Sequence, residues 1–202
     1  MKIVFCLPGN SFTDSFFESW LLLDDWLREQ KIEYIVRQAS GSNVSQVRER
    51  CLRPFKENSL RPKVPFFGEI DYDYIMWIDS DISFKPEHLK KLLDRNVDIV
   101  TGVYRMSPIS GYACEIKKDI LYVEGELIEA FWAGMGFMLV KKGVFEKIEP
   151  PWFQTTLADI DEERKEMFVT EDIFFSIRAR EAGFKVYIDP EVIVKHKKSI
   201  LI

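Results

Sequence analysis

Short apolar runs alternate along the chain with longer segments in which apolar residues recur every three or four positions. Runs at residues 3–7, 34–36, 75–78 and 99–103 are rich in β-branched and aromatic side chains and read as strands. The segments 15–30, 44–53 and 86–95 carry helical spacing. This order predicts an α/β layer structure with a mainly parallel central sheet flanked by helices. After Tyr104 the pattern changes, and residues 111–116, 121–123 and 136–140 look like shorter strands joined by turns. The second half is therefore expected to be α+β, within the same domain.

Other segments predict where core and surface lie. The first helix presents Phe16, Phe17, Trp20, Leu21, Leu23, Trp26 and Leu27, a broad apolar face that belongs against the sheet. Residues 54–68 contain Pro54, Pro62 and Pro65 and read as a loop leading into the strand at 75–78. Residues 154–165 are polar and acidic, with Asp159, Asp161, Glu162 and Glu163 close together. A solvated loop or helix face is the expected reading there, with a mobile lid as the alternative. Thr170 opens a capped helix that has Glu171 and Asp172 in its first turn and Gly183 as its stop. Beyond it, 184–190 reads as a strand and turn, and 192–196 as a further strand ending in His196.

With 202 residues the chain can bury one sizeable core, and a hydrophobic share of 47% places it among folded globular proteins. A net charge of −5 argues against a general nucleic-acid binder. Cys6, Cys51 and Cys114 are widely spaced and form no pair motif, which speaks against a disulfide framework or a zinc site. The apolar part of the N-terminus is too short for a signal peptide and closes in a Pro8-Gly9 turn, and no run is long enough to span a bilayer. The expectation is a soluble, cytoplasmic protein.

The chemistry concentrates in Tyr74-Ile-Met-Trp-Ile-Asp-Ser-Asp-Ile-Ser-Phe84, where an apolar run ends in two aspartates separated by one serine. Ligands of open α/β sheets bind outside the carboxyl ends of the strands, so Asp79 and Asp81 are expected to face a cleft. Two hard oxygen ligands suit Mg²⁺ or Mn²⁺, and such ions complete their shell with substrate phosphates. The plainer alternative is a turn in which Asp81 caps the next helix, but that helix starts at Pro86, too far on. For Glu171 and Asp172 the helix dipole alone explains acids in a first turn. The functional alternative makes one of them a general base at the mouth of the cleft.

Together these segments resemble the GT-A glycosyltransferases, nucleotide-sugar-dependent enzymes with an Asp-x-Asp motif, over nearly the whole chain. Residues 75–84 look like the motif strand, and Val44-Ser-Gln-Val-Arg-Glu-Arg-Cys-Leu52 resembles the helix before it. Phe131-Trp-Ala-Gly-Met-Gly-Phe137 and the residues up to Phe145 are similar to the glycine-bearing strand under the sugar. Thr170-Glu-Asp-Ile173 is similar to the Glu-Asp helix start, and His196 to a late metal-binding histidine. The resemblance implies a single GT-A-like domain, with 1–103 as the nucleotide-binding half and 104–202 as the acceptor- and metal-completing half. It further implies metal-dependent transfer of a hexose from a nucleoside diphosphate sugar, UDP first, to a hydroxyl on a glycan or glycoconjugate. Inversion of configuration is expected, with a retaining reaction as the alternative.

Residue roles follow from the same resemblance. Asp81 and His196 would hold Mn²⁺ or Mg²⁺ against the diphosphate, and Asp79 would contact the ribose or the metal. Pro8, Gly9 and Ser11 would border the nucleoside, Gln38 or Ser40 the base, and Arg48 and Ser80 the nucleotide. Gly134 and Gly136 would let a sugar approach the backbone, and Trp132 and Trp152 would stack on it unless they are core residues. Asp172 would be the base, with Glu171 facing elsewhere. A phosphatase of the haloacid-dehalogenase type is the main rival, yet it would want its aspartates on the first strand, which here carries Leu7-Pro8-Gly9. A nucleotidyltransferase would want a glycine- and arginine-rich loop where Asn10-Ser-Phe-Thr13 stands. A non-catalytic sugar-binding module is the third.

Overall fold

A computed structural model describes residues 1–53, 63–106, 111–116 and 124–197. The predicted strand at 121–123 and most of the 54–68 loop lie outside the described residues. In the first half β1 (Lys2–Pro8), α1 (Asp14–Glu29), β2 (Glu33–Ala39), α2 (Val44–Cys51), β3 (Tyr74–Ile78), β4 (Ile82–Ser83), α3 (Pro86–Arg95) and β5 (Ile99–Val103) follow one another. The second half continues with β6 (Cys114–Ile116), β7 (Ile128–Ala133), β8 (Phe137–Lys141), α4 (Val144–Lys147), β9 (Thr156–Ala158), β10 (Met167–Val169), α5 (Glu171–Glu181), β11 (Val186–Ile193) and β12 (Lys195–His196).

An eight-stranded sheet in the order β2-β1-β3-β8-β5-β11-β7-β6 organises the molecule. β1 pairs in parallel with β2 and β3, and β5 with β11. β8 runs antiparallel to both of its neighbours, β3 and β5, so those two share a direction without touching. β7 is likewise reversed against β11 and β6. The sheet is mainly parallel in strand direction, as the alternating pattern implied, but a strand of the second half is wedged into the first. Residues Phe137 to Val140 are buried, which suits a strand covered on both faces.

Two apolar layers cover the sheet. On one side α1 and α3 contribute Phe16, Leu23, Leu27, Leu89 and Leu92; on the other, α2, α4 and α5 contribute Val47, Phe145 and Phe175. The buried face of α1 is narrower than its composition implied, because Phe17, Leu21 and Leu22 point to solvent. Trp152 is fully buried, and its indole N–H donates to the carbonyls of Phe145 and Ile148. It is a core residue, the alternative left open for it by its sequence, and does not line the cleft. The acidic 154–165 stretch is also more ordered than a solvated loop: its start forms β9, which pairs antiparallel with β10. The expected strand at 192–196 is divided, because β11 runs on through an irregularity between Asp189 and Ile193 before β12 begins.

Candidate active site

A cleft of about 650 Å³ opens where β1, β3 and β5 end, at the side of the sheet where open α/β folds bind ligands. One wall is made by Pro8, Gly9 and Asn10 after β1, by Gly41 and Ser42 after β2, and by Val44 and Val47 of α2. Asn10 clamps the two loops: its Nδ2 donates to the Gly41 carbonyl at 3.2 Å, and its Oδ1 accepts from the Gly41 N–H at 2.8 Å. Neither residue was picked out from the sequence as part of a site. Gln38 stands behind this wall, donating to the Gly9 carbonyl at 2.7 Å, and the Ser40 carbonyl accepts from Arg50 at 2.9 Å. Gln38, Ser40 and the exposed Ser11 do not line the cleft. Gly9 is required where it is, because a Cβ there would meet Ser80 Oγ at 2.6 Å.

β3 delivers Asp79, Ser80 and Asp81 to the floor. The Asp79 N–H donates to the Gly136 carbonyl at 3.0 Å, which fixes the turn. Beneath it lies Arg48, only 3% exposed. Its Nη2 donates to both Asp79 oxygens at 3.0 and 3.2 Å, and its Nε to Glu171 Oε1 at 3.2 Å. Burial works against the guanidinium charge, but Asp79, Glu171 and Asp172 outweigh it and hold its pKa above the usual range. Burial likewise raises the Asp79 carboxyl; Arg48 opposes this and Asp81 adds to it. Arg48 was expected to approach a nucleotide. It sits under the cleft instead, holding the first motif aspartate. Glu171 does not line the cleft; it turns inward and is buried on that same arginine.

Asp81 and His196 meet across the other side of the floor, Oδ2 to Nε2, at 2.9 Å. The opposite ring nitrogen, Nδ1, lies 3.1 Å from the Arg105 carbonyl. A carbonyl can only accept, so Nδ1 carries a proton and Nε2 is left to bind either a second proton or a cation. Metal-ligating histidines commonly anchor their far nitrogen in this way. No group of three or more His, Cys, Asp or Glu residues that could hold a metal ion stands among the described residues. Asp81 and His196 alone fall short of a closed metal site, so an ion bound there would take its remaining ligands from phosphate and water.

Tyr104, Trp132, Thr170 and Asp172 form the far wall. Gly134 and Gly136 make room for the Tyr104 ring: a Cβ on either would come within 2.3 and 2.7 Å of its hydroxyl. That hydroxyl accepts from the Gly136 N–H at 2.9 Å. The glycines thus serve a tyrosine, and the ring lines the cleft in their place. Asp172 is half-buried; its Oδ1 accepts from the Thr170 hydroxyl and, at 2.9 Å, from the Ile173 N–H.

The mixed sheet and its flanking helices have the fold of the GT-A-like glycosyltransferases. No protein-family profile matches the chain, and no curated protein sequence does. Among solved structures, A197 from STIV is similar with a TM-score of 0.60 at 22% identity, covering 98% of this chain and 87% of that one. Drosophila beta-1,4-galactosyltransferase 7, as a mutant in complex with manganese, UDP-Gal and xylobiose, gives 0.51 at 15% identity, over 98% of this chain and 71% of that one. S. aureus TarS (1–349) gives 0.51 at 12% identity, over 98% of this chain and 60% of that one. No helix among the described residues is long and apolar enough to cross a membrane.

Proposed function

We propose that the chain is a divalent-metal-dependent glycosyltransferase that moves a hexose from a UDP-sugar to a hydroxyl of a glycan or glycoconjugate, inverting the anomeric centre. The observation that carries this reading is the Asp81–His196 pair, with the histidine's other nitrogen held by a backbone carbonyl at the strand ends of a glycosyltransferase-like fold. The solved structure with manganese and UDP-Gal on a similar fold supports the choice of ion and donor.

In this reading Asp81 and His196, with Asp79 beside them, would hold Mn²⁺ or Mg²⁺, which would supply positive charge to the diphosphate. The Asn10–Gly41 wall borders the nucleoside, with Gly9 packed against Ser80. Arg48 keeps the Asp79 carboxylate in place from below, and its Nη1, buried without a partner among the described residues, is the donor it has left. Tyr104 and Trp132 flank the sugar and exclude water. Asp172 takes the proton from the acceptor hydroxyl as that oxygen attacks the anomeric carbon. Its Oδ1 is tied down by Thr170 and Ile173, which leaves Oδ2 for that proton.

The test is a panel of UDP- and GDP-hexoses, assayed for binding, hydrolysis and transfer with Mn²⁺ and with chelator. Metal-dependent turnover of a nucleotide sugar is expected. Binding that is the same in chelator, or no binding of any nucleotide sugar, would remove the reading.

A further inference from the structure

The turn between β9 and β10 is tied to the cleft through one side chain. Arg164 Nη1 donates to both oxygens of Glu115, at 2.6 and 2.8 Å, and Glu115 Oε2 in turn accepts from the indole N–H of Trp132 at 2.8 Å. The rest of the guanidinium is held as well: Nε and Nη2 go to Asp161 Oδ2 at 2.8 and 2.5 Å, and its Cζ lies over the Phe131 ring, 5.4 Å from the centre. The backbone N–H groups of Glu163 and Arg164 close the turn on the other Asp161 oxygen.

Most exposed ion pairs contribute little, but here one guanidinium nitrogen spans both Glu115 oxygens, the other two converge on Asp161 Oδ2, and the cation lies over the Phe131 ring, so several contacts hold one group at once. Lysine could not reproduce it. An indole has one polar atom, a donor. Fixing the acceptor for that atom fixes the rotation of the ring, and here the ring forms part of the cleft wall. We infer that Arg164 is a positioning residue for Trp132: acting through Glu115, it sets the plane that the indole presents to a sugar bound in the cleft. That the ligand is a sugar rests on the glycosyltransferase reading; the coupling of Arg164 to Trp132 does not.

The experiment separates the two. The chain has five tryptophans, so 5-fluorotryptophan labelling gives a countable fluorine spectrum, with Trp132→Phe assigning the signal of interest. Arg164→Met should shift or broaden the Trp132 signal and leave the others in place. Lys165→Met, which removes an exposed pair with Asp159, should change none of them. In calorimetry with Mn²⁺, Arg164→Met should weaken UDP-glucose or UDP-galactose roughly 3- to 10-fold and leave UDP unchanged. In a Trp132→Phe background the same substitution should then have no further effect. An unmoved Trp132 signal, or losses that simply add, overturns the inference. If neither UDP-sugar binds the wild-type protein, the glycosyltransferase reading loses support while the fluorine spectrum still decides the coupling.

Discussion

Glu171 and Asp172 are neighbours in the chain and have different surroundings. Glu171 turns inward, where burial pushes its carboxyl above the usual range and Arg48 pulls it back. Asp172 turns to the cleft. A base there contributes roughly 10²–10⁴-fold in rate, whereas an acid at a helix start is worth only about 0.3–1 kcal/mol. Asp172→Asn should therefore keep the fold and metal-dependent UDP binding and lose transfer by a factor in that catalytic range. Wild-type transfer by this variant would reduce Asp172 to a helix-start residue, and retention of anomeric configuration in the wild-type product would overturn the stereochemical assignment. Arg48 presents the opposite case, a residue whose loss is first felt in stability. Removing it leaves two carboxylates, Glu171 at 9% and Asp79 at 29% side-chain exposure, without their cation. Breaking a buried pair in this way costs about 3–5 kcal/mol, so Arg48→Met should lower the urea midpoint markedly. A change below about 1 kcal/mol, the range of an exposed pair, would show that the cluster is solvated.

Individual elements differ in how well their sequence announced them. β3 and α3 were legible, because an unbroken apolar run and a Pro86 start each have one reading. β8 was legible as a strand but not in its place: Phe137 to Val140 reads the same at any buried position, and only non-local pairing puts it between β3 and β5. The motif aspartates and His196 could be named in advance, whereas Asn10, Glu115 and Arg164 act through partners far off in sequence and carry no local signal. In the β9–β10 hairpin Asp159, Glu162 and Glu163 are exposed, as the charge run implied, while the fork from Arg164 holds the Asp161 carboxyl down to about 2. A carboxyl depressed by folding adds stability above its unfolded pKa, about 3.9, and that contribution is lost as pH falls through the folded value. The turn should thus stay anchored across the ordinary carboxylate range and loosen only as pH approaches about 2. In Arg164→Met the Asp161 carboxyl carbon should titrate close to the ordinary value, and an unchanged NMR titration would disconnect the two residues.

At the scale of the whole molecule, β8 ties the halves 1–103 and 104–202 into one sheet. A fragment ending after β5 would leave β3 and β5 without the strand between them and an apolar face open on each. It should be unfolded by circular dichroism, while the full chain melts in one transition. The same unity lets ligand binding be read from global stability. In the proposed function Asp81 and His196 would supply two ligands, too few to hold a divalent ion tightly by themselves, and a diphosphate without a cation would face Asp79, Asp81 and Asp172 in the same cleft. Each component should therefore bind weakly alone and well together. A ligand at a hundred times its Kd stabilises the native state by about 2.7 kcal/mol, which for a chain of this size moves Tm by roughly 5–10 °C. UDP with Mn²⁺ should produce a shift of that order, UDP or Mn²⁺ alone a small fraction of it, and Asp81→Ala should abolish it without lowering the melting point of the unliganded protein by a comparable amount. If UDP in chelator stabilises the chain as much as UDP with Mn²⁺, the Asp81–His196 pair is an ordinary hydrogen bond and the metal has no place in the site.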